Sequence, residues 1–167
     1  LHDFDPYPWY GNRLPEVRQV TLTAPSWVDS AARYFEEKTG NWATPGEMAV
    51  ALDPATVQTP ALEVIDAALV DVANGECERL MISMPPQEGK SQRASRRFPL
   101  WMLHRNHNLR IAIVSFEHGI ATRWGRLIRE DAIAHPELEV VVDPTSRAKH
   151  DWGLLGAGGS VYCCGIN

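Results

Sequence analysis

The sequence predicts an α/β fold built on a mostly parallel sheet. Three observations carry this expectation. Two apolar runs, residues 80–84 and 109–116, have the length and composition of strands buried on both faces. The segments around and between them place apolar residues at helical spacing. Proline and glycine then stand where those elements should start and stop, so strands and helices alternate along the chain.

In order, residues 1–25 are rich in proline and aromatics (Pro6, Tyr7, Pro8, Trp9, Tyr10) and read as an irregular arm. A helix is expected over 26–38, capped by Ser26, with Val28, Ala31, Ala32 and Phe35 as its stripe and Gly40 ending it. Thr44, Pro45 and Glu47 form a cap, a first-turn proline and a capping box, and Asp53-Pro54 stops that helix. Thr59-Pro60 opens another helix through Ala73, with Leu62, Ile65, Ala68 or Leu69, and Val72 at helical spacing and Gly75 as terminator. After the first apolar run, a helix is expected from Lys90 toward Arg97, interrupted or kinked at Pro99. Leu100, Trp101 and Leu103 read as core, and 105–108 as a turn. The run LRIAIVSF at 109–116 is the second strand, apolar and β-branched. A helix follows over about 117–134 with Ile120, Trp124, Leu127 and Ile128 as its apolar face. Residues 138–142 and 160–164 are further strand candidates.

The stretch that gives this layout a chemistry is ERLMISMPPQEGKSQ, residues 78–92. An apolar strand, a tight loop, Gly89-Lys90-Ser91 and a helix are the parts of a phosphate-binding P-loop, in that order. Successive backbone N–H groups at a helix N-terminus make a concave donor site for a polyanion. Pro85 and Pro86 lack an N–H, so the donors come from Gln87, Glu88, Gly89, Lys90 and Ser91. Gly89 permits close approach to phosphate, Lys90 reaches the β- and γ-phosphates, and the Ser91 hydroxyl ligates Mg²⁺. The usual pattern begins with a glycine where this chain has Met84. Glu88 is out of place beside a triphosphate, so it is expected to point away or to pair with Arg93 or Arg96.

A chain of 167 residues is long enough for a domain with its own core, and no apolar run approaches the ~18 residues that span a bilayer. The N-terminus has neither the basic start nor the apolar centre of a signal peptide. Three cysteines, two of them adjacent, suggest no disulfide framework, which fits a reducing, intracellular setting. The net charge of −5 argues against a chain that binds nucleic acid by overall charge. The distribution is uneven, with nine lysines and arginines between Lys90 and Arg129 and Glu117 as the one acid there. Those cations read either as solvated helix faces or as a basic surface for phosphates, a neighbouring subunit or DNA. The histidines 104, 107, 118, 135 and 150 show no metal-ligand spacing and read as structural or solvated. Cys163 and Cys164 read as strand residues, and Trp101 and Trp124 as core.

The segments TPGEMAVALDPATVQTPALEVIDAAL, RLMISMPPQEGKSQRASRRFPLW, LRIAIVSFEHGIATRWGRLIRED and WGLLGAGGSVYCCGI together resemble the ATPase half of the large terminase subunit of tailed bacteriophages, of the actinobacterial-phage type. The resemblance covers roughly residues 42–167, and MPPQEGKS is similar to that family's deviant P-loop, which also lacks the first glycine. It implies a RecA-like (ASCE) P-loop NTPase, a three-layer αβα sandwich. Residues 1–57 would be an N-terminal arm and helices, and 58–167 the first part of the ATPase domain. The implied activity is ATP- and Mg²⁺-dependent translocation of double-stranded viral DNA into a capsid. The implied setting is the host cytoplasm, with the portal protein, the small terminase subunit and a ring of like subunits as partners. A C-terminal nuclease completes the family's subunit. Related motors place a glutamine upstream of the P-loop on adenine, which makes Gln58 a candidate for that contact, the alternative being a solvated residue before a helix. An arginine completes the site of ring motors; of Arg123, Arg126 and Arg129 on the helix after the second strand, Arg126 is the candidate acting on a neighbour, and a merely solubilising role for all three is the alternative. In one respect the chain departs from the family pattern: it stops before the strand that ends in consecutive acidic residues. An N-terminal fragment or the product of a broken gene, capable of nucleotide binding at most, is therefore expected. The alternatives are a fragment of another P-loop translocase or helicase, or a non-catalytic remnant.

Overall fold

A computed structural model describes residues 42–146, 148 and 150–166. The irregular arm and the helix expected over 26–38 lie outside the described residues. Helix α1, Pro45–Leu52, begins at the Thr44 cap, whose Oγ1 accepts from the Glu47 N–H at 3.1 Å. The Glu47 carboxylate reaches back one residue further than a standard capping box and accepts from the Ala43 N–H at 2.8 Å. Helix α2, Pro60–Asn74, has the expected Thr59 cap and ends on Gly75 in the left-handed conformation (φ 79°). Its inward residues are Leu62, Ile65, Asp66 and Leu69, so Leu69 rather than Ala68 continues the stripe.

The first apolar run is not a strand. Residues 80–85 form no regular element and hydrogen-bond to no neighbouring strand among the described residues. Alternation survives without the ladder. Ile82 and Met84 pack on Leu62, Ile65 and Leu69, while Met81 is 92% exposed. The helix after Ser91 is also not interrupted at Pro99. It continues to Arg105, as a π-helical segment, Gln92–Arg97, followed by α3, Phe98–Arg105. The wider π turn carries the Phe98 N–H to the Arg93 carbonyl. Proline has no N–H to give the carbonyl one turn back, and a local change of helical register is one way a helix absorbs that loss.

Strand β1, Arg110–Ser115, pairs parallel with β3, Ser160–Gly165, in the register Ile111 to Val161 and Ile113 to Cys163. A short strand absent from the sequence reading, β2, Asp151–Gly153, pairs antiparallel with the other edge of β3. The sheet is therefore small and mixed, with order β1-β3-β2, rather than mostly parallel. Residues 138–142 do not form the expected strand. A 3-10 turn, Pro136–Leu138, runs into Glu139 at φ 55°, and a left-handed residue breaks an extended run. What remains is a single bridge from Val142 to Leu154.

Helix α4, His118–Ala134, lies across β1 and β3. Its buried face is Ala121, Gly125, Ile128, Asp131 and Ala132, and Ile120 is 36% exposed, so small residues rather than Ile120 face the sheet. Small side chains let the helix approach closely, and Trp152 fills the space with its indole N–H donating to the Gly125 carbonyl at 3.2 Å. Met48, Leu100, Trp101, Leu103, Ile128, Trp152, Val161 and Cys163 belong to one buried cluster. Burial at this scale is the main stabilising term. The opposite face of the sheet, with Val114 and Tyr162 more than half or half exposed, is uncovered among the described residues. The described part thus has two layers where the resemblance implies three.

Candidate functional site

Proline, backbone sign and helix start together shape the loop at 84–92. Pro85 and Pro86 lead into a turn, and Gln87 and Gly89 both adopt left-handed backbone, φ 69° and 85°. Glycine takes that conformation without strain, whereas Gln87 bears a cost on the order of 1 kcal/mol, of the sort found where a loop is held for a purpose. Left-handed residues interspersed in a tight turn direct successive N–H groups to one side, the geometry of an anion nest. The helix starts at Lys90. Its first internal hydrogen bond runs from the Arg93 N–H to the Gly89 carbonyl at 3.0 Å, which leaves the amides of Lys90, Ser91 and Gln92 without a partner inside the helix.

These groups surround a cavity of about 530 Å³ lined by every residue from 84 to 92 except Glu88. The lining contains one cation, Lys90, and no carboxylate. Glu88 is exposed and turned out of the cavity, which removes the repulsion its position in sequence suggested. Neither of its expected partners is available, because Arg93 and Arg96 are committed elsewhere. Lys90 is half-buried and Ser91 exposed, and neither side chain has a hydrogen-bond or ion-pair partner among the described residues. Mg²⁺ prefers a few hard oxygens supplemented by phosphate and water, so the hydroxyl of Ser91, one of the residues lining this cavity, fits it as a single protein ligand. Among the described residues no group of three or more His, Cys, Asp or Glu side chains converges to hold a metal.

The other sequence-predicted site residues lie apart. Gln58 lines a different cavity, of about 560 Å³, between α1 and α2. Its amide is engaged there, donating to Asp66 Oδ2 at 2.8 Å and accepting from Arg93 Nη2 at 2.6 Å. Arg126 sits on α4 with its side chain 43% exposed, in an i, i+4 bridge to Glu130 at 3.2 Å. A surface pair of this kind holds an arginine by at most ~0.5 kcal/mol.

Two buried ionic groups were missed from the sequence. Arg93 donates to both oxygens of Asp66, and both side chains are almost wholly buried. Arg96 makes a two-pronged contact with Asp131, both distances 2.7 Å, and Arg97 adds a third at 3.1 Å. The hydrogen bond to Asp131 raises the Arg96 pKa against partial burial, while desolvation lowers that of Arg97. Two of the nine cations counted in the basic stretch, Arg93 and Arg97, are therefore internal, and a third, Arg96, is half-buried and tied to Asp131. The signal was present: Asp66 and Asp131 fall on the apolar faces of their helices, where a carboxylate requires a buried partner. His104 is structural, as expected, buried with Nδ1 2.6 Å from the Leu138 carbonyl. Trp101 is buried and donates to the Trp42 carbonyl at 3.1 Å, whereas Trp124 is half-buried.

No protein-family model, curated protein or solved structure matches the chain.

Proposed function

We propose that the chain binds ATP with Mg²⁺ at the loop of residues 84–92, as the ATP-binding part of a phage DNA-packaging motor, a terminase large subunit. The observation that carries the reading is the cavity itself. Its lining includes Lys90 and Ser91, whose side chains have no partner among the described residues, together with the first-turn residues whose amides have no partner inside the helix, and it includes no carboxylate. In this reading the amides of 87–91 cradle the phosphates, Lys90 places a point charge on the β- and γ-phosphates, and Ser91 supplies an oxygen to Mg²⁺. The metal, when bound, neutralises charge shared by those phosphates. The resemblance adds the setting: a P-loop fold of RecA-like type, double-stranded DNA as the translocated partner, portal protein and small terminase subunit beside it, and a ring of like subunits in the host cytoplasm. Among the described residues, no helix is long and apolar enough to cross a membrane.

Calorimetric titration with MgATP tests the binding. Wild type is expected to bind and Lys90→Ala to lose binding; equal affinity of the two would remove the P-loop reading. The 167-residue chain is further expected to release no phosphate in the steady state, since the cavity lining holds no carboxylate to orient an attacking water. Turnover near 1 s⁻¹, within the ordinary enzyme range and dependent on Lys90, would contradict that. Arg126, weakly held at the surface, is the residue proposed to act on a neighbouring subunit. In a complete motor, mixing Arg126→Ala with Lys90→Ala subunits should restore activity that each lacks alone, and full activity of Arg126→Ala by itself would exclude it.

A further inference from the structure

We propose that Gln58, Asp66 and Arg93 form a buried positioning lock for the phosphate loop, and that Gln58 acts through Arg93 rather than on the nucleotide base. The inference rests on the nucleotide-binding reading above and deepens it.

The three side chains close a ring. Arg93 uses Nη1 on the Asp66 carboxylate and Nη2 on the Gln58 carbonyl oxygen, and the Gln58 amide nitrogen completes the circuit by donating to Asp66. The contacts are 2.6 Å, 2.6 Å and 2.8 Å. A planar guanidinium gripped by two partners has its rotation fixed as well as its position. Arg93 is also the residue whose N–H closes the first helical hydrogen bond, on Gly89. Fixing Arg93 therefore fixes the turn that presents Lys90 and Ser91, since each residue of a helix is set by its neighbours at about 100° per step.

Gly46 marks how closely the ring is built in. A Cβ at Gly46 would overlap Asp66 Oδ2 and Arg93 Nη1, so α1 supplies a wall on which only glycine fits. Four segments meet here: α1, the connection before α2, α2 itself and the helix after the loop. A buried ion pair contributes little net stability compared with apolar packing of the same volume, so stability alone does not account for it. The amide edge of Gln58 that would read a base is the edge already given to Asp66 and Arg93. Its cavity is also distinct from the one at residues 84–92.

The test compares ATP with inorganic tripolyphosphate, which has phosphates and no base. Gln58→Met keeps the volume and leaves Asp66 and Arg93 paired. It should weaken both ligands by the same factor, roughly tenfold or more for the two hydrogen bonds lost, while the chain stays folded at the titration temperature. Gly46→Ala, which alters no hydrogen-bonding group, should give the same equal loss from the other side of the ring. A loss for ATP with tripolyphosphate unaffected would overturn the lock and make Gln58 a base contact. No loss for either ligand would overturn it as well. If wild type binds neither ligand, the nucleotide reading fails by itself, and hydrogen exchange of the Arg93 amide decides the lock. Faster exchange of the Arg93 amide in Gln58→Met, beyond any change at Ile111 and Ile113 of β1, supports it, and an unchanged rate refutes it.

Discussion

The runs RLMISM and LRIAIV look alike in sequence and take different backbone states. The second is β1, paired over six residues with β3 and covered on one face by α4. The first packs inward at Ile82 and Met84 yet has no ladder among the described residues. Hydrophobic alternation fixes which side chains turn inward, while strand formation also needs a partner edge for the backbone. The difference separates two jobs. The paired run builds the core, and the unpaired run delivers a loop to the start of a helix.

This contrast makes its largest prediction in the paired half. Trp152 is fully buried against α4, so Trp152→Ala should cost about 3–5 kcal/mol in a denaturant melt. A loss below about 1 kcal/mol would mean that the sheet and α4 are not packed as described. Next comes the joint between the halves. Asp131→Asn leaves the buried Arg97 without its counter-charge and should cost about 3 kcal/mol, and a neutral outcome would break the link from the loop's helix to α4.

A pH effect of about 2 kcal/mol should come from Cys163, in β3. Burial pushes its thiol up to about 11 from an ordinary 9.0. Above pH 9 the unfolded chain releases this proton while the folded chain keeps it, so unfolding gains as pH rises. The stabilising contribution is complete below about pH 9 and is lost as pH climbs through about 11. The urea midpoint should fall more between pH 8 and pH 10.5 in wild type than in Cys163→Ala, and an identical fall in both would rule Cys163 out. The smallest effect belongs to the unpaired run: Met81→Ser, at a side chain 92% exposed, should stay within about 0.5 kcal/mol. A cost above about 1.5 kcal/mol would indicate a buried Met81 and a paired strand.

Much of this was legible in the residues. The caps at Thr44 and Thr59, the stop at Gly75, β1 and α4 follow from local signals, and local signals suffice for them. The failures were relational. Strand 80–84 needed a partner that hydrophobicity does not report. The 138–142 run was broken by one left-handed residue, Glu139, and β2 at Asp151–Gly153 is too short and polar at one end to announce itself. At the site, Gly89, Lys90 and Ser91 were placed by their motif, whereas Asp66, Arg93 and Asp131 depend on contacts between distant helices. Their one local trace is a carboxylate on an apolar stripe.

The most direct measurement of the central claim is a map of backbone amide resonances during titration with MgATP. The amides of Gly89, Lys90, Ser91 and Gln92 should shift most, with Ile111 and Ile113 of β1 nearly still, and the pattern should vanish in Lys90→Ala. Shifts centred on β1, or a loop pattern that persists without the Lys90 ammonium, would contradict it.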